Sequence, residues 1–109
     1  MDNWEKVESF VATKLKLKKT KRSGASNQDG DLKDAFLMAE VKDQNQLSID
    51  HWWWKIRQEA SENERVPILV VARPPEKVGL PSESGTQYLV VIDLNDFEYY
   101  YSKWKEEYA

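Results

Sequence analysis

The pattern of the chain predicts an α/β fold, a sheet with helices on both of its faces. Three observations carry that expectation. Apolar residues at helical spacing open, divide and close the sequence, and β-branched or alternating runs lie between them. The segments joining these runs are rich in Gly, Pro, Asn, Asp and Ser, the residues of turns.

Trp4, Val7, Phe10, Val11 and Leu15 recur every three or four residues, the face of an amphipathic helix over about 3–15. "LKLKKTKR" then alternates and lacks caps, which fits a short strand with its lysines outward. "SGASNQDGD" (23–31) is turn chemistry throughout. Residues 35–42 read as a strand with Phe36, Met38, Glu40 and Lys42 on one face and Leu37, Ala39 and Val41 on the other. Its first half is apolar on both faces and should be buried on both. After the polar loop "DQNQLS", Ser48 or Asp50 can cap a helix over about 50–61. "VPILVVA" (66–72) has the continuous apolar, β-branched character of an interior strand. "RPPEKVGLPSESG" is a long loop, and "TQYLVVIDL" is a further strand. "NDFEYYYSKWKEEY" opens with Asn95 or Asp96 as cap and continues as a helix carrying Phe97, Tyr100, Tyr101 and Trp104. That aromatic stripe either docks the last helix on its own sheet or meets a second subunit. The order is α-β-β-α-β-β-α.

At 109 residues the chain should form a single domain, 1–109. Apolar residues make up 40% and charged residues 32%, a soluble globular composition. No apolar run approaches the ~18 residues of a membrane span, and "MDNWEKVESF" is too charged for a signal peptide. The absence of cysteine excludes disulfides and thiolate metal sites, and the expected location is cytoplasmic. A net charge of −3 argues against nonspecific coating of nucleic acid. The charge is unevenly spread, however, because "KLKLKKTKR" (14–22) holds six of the sixteen basic residues. Such a run is either a stripe that contacts phosphates or an edge strand whose lysines block edge-to-edge pairing.

The chemistry gathers at residues 31, 40 and 42. Glu40 and Lys42 are two apart on a strand and so project from one face, while Asp31 sits in the preceding turn and can return a carboxylate to it. Two carboxylates suit a hard cation such as Mg²⁺, with the Val41 carbonyl able to complete the shell. A neighbouring ammonium can orient water or offset charge developing on a phosphoryl group. Taken alone, a Glu-x-Lys pair is more commonly a surface ion pair.

"RSGAS…GDL…FLMAEVK", then "W..KI..EA……VPILVV" and "YLVVIDLNDF", resembles the PD-(D/E)xK nuclease superfamily. Within it the chain looks most like the small Holliday-junction-resolvase-like endonucleases of archaea and phages, with the likeness running from Trp4 to Phe97. The resemblance implies a restriction-endonuclease-like fold, a central mixed β-sheet flanked by helices in the order α-β-β-β-α-β. It implies a Mg²⁺-dependent (Mn²⁺ possible) hydrolase acting in DNA recombination, a homodimer that cuts four-way junctions. It also implies roles. Asp31 and Glu40 would hold metal, Lys42 would assist the attacking water, and Glu8 on the first helix would be a further carboxylate, with Glu5 a turn earlier as its rival. Ser23 would lie near the scissile phosphate. Asp34 competes with Asp31, since the family's Pro-Asp or longer hairpin is absent here. For contacts to DNA, Lys16, Lys18, Lys19, Lys21, Arg22 and Ser23 join Lys55 on the helix after the catalytic strand, a better placed residue than Arg57. Two other readings stay open: a nuclease or nickase for unbranched DNA, and an idle DNA- or protein-binding module of the same fold.

In "HWWWK" (51–55), three successive tryptophans point about 100° apart on a helix and cannot share one buried face. His51, the sole histidine, belongs at that helix's start and is left out of the site.

Overall fold

The computed structural model describes residues 3–20, 32–43 and 47–108. Helix α1 spans Asn3–Leu15, strands β1 and β2 are Lys18–Lys19 and Leu32–Lys33, and β3 is Leu37–Lys42. Helix α2 spans Ile49–Glu62, β4 is Val66–Arg73, β5 is Gln87–Val91 and α3 is Leu94–Tyr108. One mixed sheet runs in the order β1-β2-β3-β4-β5. The first three strands form an antiparallel meander, the α2 crossover makes β4 parallel to β3, and β5 returns antiparallel.

The expected α/β class is therefore present, with one strand more than the pattern predicts. β2 holds two residues, too short for any periodicity to register, yet Leu32 is fully buried and pairs with Ala39. The two faces of the sheet follow the alternation of its strands. On one face α1 supplies Val11, which packs with Leu17, Leu32, Ala39, Ile68 and Val70. On the other, α2 presents Trp52, Ile56 and Ala60 at four-residue spacing to Met38, Leu69 and Val71. β4 is an interior strand, between β3 and β5, buried from Ile68 onward, as its apolar run predicts.

The ends of the elements depart from the expected ones for local reasons. α1 closes on Lys16 in the left-handed region (φ 58°), with Leu17 N–H donating to Ala12 O at 2.9 Å and Lys16 N–H to Thr13 O at 3.4 Å. This is a Schellman closure, and it buries Leu17 against the cluster around Val11. α2 ends in the same way on Glu64 (φ 56°), with Arg65 N–H donating to Ala60 O and Glu64 N–H to Ser61 O. β3 starts at Leu37 rather than residue 35, because Asp34 Oδ1 accepts the N–H groups of Phe36 and Leu37, both at 2.8 Å, and turns that stretch into the hairpin. Phe36 is 72% exposed, so burial on both faces begins only at Met38. α3 is capped by Asp93, not by Asn95 or Asp96: its Oδ1 accepts from Asn95 N–H at 2.9 Å and Asp96 N–H at 3.4 Å.

Candidate active site

Glu40 and Lys42 lie at the C-terminal half of β3, opposite Leu69 and Val71 of β4. As the alternation requires, both face α2. Glu40 is buried, and its Oε1 stands 3.7 Å from Lys42 Nζ. The ammonium also sits 5.6 Å from the centroid of the Trp52 ring. Trp52 packs with Leu69 and Val71, so the pair is walled by apolar side chains of α2 and β4. A carboxylate in such surroundings is costly unless a cation compensates it, and Lys42 does so here.

The other predicted site residues are dispersed over several elements. Glu8 is buried on α1, the helix on the opposite face, and stands 4.0 Å from Lys19 Nζ. Lys19 also donates to Ser9 Oγ at 2.8 Å, tying β1 to α1. Glu5, the rival on the same helix, is half-buried. Val41 points its side chain to the α1 face, where it packs beside Ala39 and Val70. Asp34, the rival of Asp31, is committed to the hairpin. Its carboxyl is held below the usual range chiefly by the N–H of Leu37, then that of Phe36, with Arg65 adding to the effect and burial opposing it. Arg65 Nε further donates to the Asp34 carbonyl at 2.8 Å. Asp34 thus acts as a turn residue at the end of β3 remote from Lys42.

Lys16, Lys18 and Lys19 are exposed at the β1 edge, and Lys55 is exposed on α2. Asp31, Lys21, Arg22 and Ser23 lie outside the described residues. Of the three tryptophans, Trp52 is buried, Trp53 half-buried and Trp54 58% exposed, the division that helix geometry demands.

One buried basic residue escaped the sequence reading. Arg73 closes β4 two residues beyond Val71 and is 9% exposed. With Asp43, Lys6 and Tyr88 it lines a recess of about 290 Å³ at the C-terminal ends of β3 and β4. The signal was its position directly after an apolar strand, where the pattern suggested loop.

A two-carboxylate metal site needs more than Glu40. Among the described residues no group of three or more His, Asp or Glu side chains is placed to hold a metal ion. No helix among the described residues is long and apolar enough to cross a membrane. Comparison with protein-family models, with characterised proteins and with solved structures finds no match for this chain.

Proposed function

We propose that the chain is a metal-dependent endonuclease of the restriction-endonuclease-like fold, acting on branched DNA such as four-way junctions. The observation that carries this reading is the Glu40–Lys42 pair, 3.7 Å apart on the third strand of an α-β-β-β-α-β succession. A mixed sheet, with β2 antiparallel and β4 parallel to β3, accords with the mixed sheet that the resemblance implies. β5 and α3 are additions to it.

The proposal assigns the second carboxylate to Asp31. It is bonded to Leu32, whose ladder partner Ala39 is bonded to Glu40. Glu40 and Asp31 would hold Mg²⁺ or Mn²⁺, with the Val41 carbonyl beside them. When bound, the cation supplies Lewis-acid polarisation of a phosphoryl oxygen and acidifies a water. Lys42, steadied by Trp52, orients the attacking water and offsets negative charge at phosphorus. Arg73 and the β1 lysines supply positive charge for the backbone. A junction presents two strands for symmetric cutting, which a two-fold homodimer with two sites would serve.

The test is cleavage of a four-way junction in Mg²⁺, against linear duplex of the same sequence. Glu40→Gln, Lys42→Ala and Asp31→Asn should each lower the rate by at least about 100-fold. Undiminished cleavage in the first two would remove the site. The Glu40–Lys42 ion pair itself favours the second reading, an idle binding module in which the lysine takes the place of the cation. Junction binding without cleavage in any divalent metal would establish that reading, and equal cutting of linear duplex would assign an enzyme for unbranched DNA.

A further inference from the structure

No side chain of helix α3 is fully buried. Leu94, Phe97, Tyr101, Trp104 and Tyr108 follow one another at intervals of three, four, three and four, the a and d positions of two heptads. Their rings form one continuous seam, with centroids 5.8 Å apart from Phe97 to Tyr101, 6.0 Å from Tyr101 to Trp104 and 5.9 Å from Trp104 to Tyr108. The helix turns a different side chain to its own sheet: Tyr100 lines a recess with Leu37, Ile68 and Ile92.

We propose that this seam joins two copies of the chain, α3 lying antiparallel to α3 of the second copy across a two-fold axis. The surface belongs to α3 alone and does not rest on the nuclease reading. Exposure of the seam's four aromatics runs from 44% to 70%, which at ~200 Å² per ring amounts to roughly 450 Å². Leu94, 77% exposed, extends the seam toward the ~800 Å² each partner contributes to a stable interface. A surface of that size lies at the upper end of the largest apolar patches of ordinary monomers, which are commonly functional.

Charge points to a second copy and sets the direction. With Leu94 at position a, Glu98 and Lys105 both fall at e, flanking the seam. Lys105 Nζ already lies 5.0 Å from the Tyr101 ring centroid, at the seam's border. In an antiparallel two-fold pair, e faces e, so Glu98 of each copy meets Lys105 of the other. The helix is complementary to itself, as an isologous contact requires.

Sedimentation velocity of the full chain should give twice 12.8 kDa. Trp104→Glu should weaken the dimer at least about 100-fold with its circular dichroism unchanged, since within one copy the ring is 58% exposed and its ring contacts are to Tyr101 and Tyr108 of its own helix. Glu98→Lys should weaken it roughly tenfold, because two symmetry-related attractions become repulsions. Adding Lys105→Glu to that variant should restore the wild-type constant to within a few-fold. A monomer at every concentration would overturn the proposal and leave the seam to a different protein. So would a dimer indifferent to Trp104→Glu, or a double charge reversal no tighter than Glu98→Lys alone.

Discussion

Consider removing either half of the Glu40–Lys42 pair. The partners are 3.7 Å apart, with side-chain exposure of 24% for Lys42 and 6% for Glu40. At an effective dielectric of ~20 the gross attraction is about 4–5 kcal/mol, and the lysine's contact with water reduces what the fold retains of it. Lys42→Met keeps an aliphatic stem over Trp52 but leaves the carboxylate enclosed by apolar groups, and should cost about 2 kcal/mol. Glu40→Gln leaves an ammonium that water reaches and an amide oxygen that accepts from it, a loss of about 0.5–1 kcal/mol. The double variant, with no buried charge, should therefore be more stable than Lys42→Met alone, a coupling of at least ~1 kcal/mol. Urea denaturation followed by tryptophan fluorescence would measure this, in EDTA so that no divalent ion replaces the ammonium. Additive losses, or a larger loss from Glu40→Gln than from Lys42→Met, would refute the assignment of Glu40 as the enclosed member.

Two other predictions concern the frame around the site. Asp34 is held below its ordinary titration range by the Leu37 and Phe36 N–H groups. Its contribution is thus complete above the unfolded value of about 3.9 and is lost as the pH falls through the lower folded one. The stability gap between wild type and Asp34→Asn should narrow in acid below about pH 3.9, and a gap constant through that range would show the turn to be indifferent to the charge. Glu64 closes α2 at φ 56°, a conformation costing a non-glycine residue about 1–2 kcal/mol. Glu64→Gly should raise stability by up to about 1 kcal/mol after the entropic cost of glycine, visible as a higher midpoint in thermal denaturation. A lower midpoint would mean that the Glu64 side chain matters more than its backbone.

Periodicity revealed what it can encode. The face of α1 with Val7 and Val11, the interior strand over 66–72 and the shared face of Glu40 and Lys42 all follow from spacing, because burial repeats every 3.6 or 2 residues. Short or singular features have no period to show. β2 is two residues in a polar context, and its register becomes evident only from Leu32 opposite Ala39. Lys16 and Glu64 occupy left-handed caps where a sequence reading looks for glycine. The enclosure of Glu40 was equally hidden, since Trp52 comes to it from α2, across a loop.

The order of strands adds an argument that composition could not. Lysines of β1 occupy one edge of the sheet, the apolar β5 with α3 borders the other, and the Glu40–Lys42 pair lies on a strand between them. A net charge of −3 is then an average over edges of different character. A dimer joined through α3 would carry two such lysine edges, one from each copy, and each would supply its own phosphate contacts. This makes the salt dependence of binding informative: a dimer contacting DNA through both edges should show about twice the logarithmic slope of a Trp104→Glu monomer.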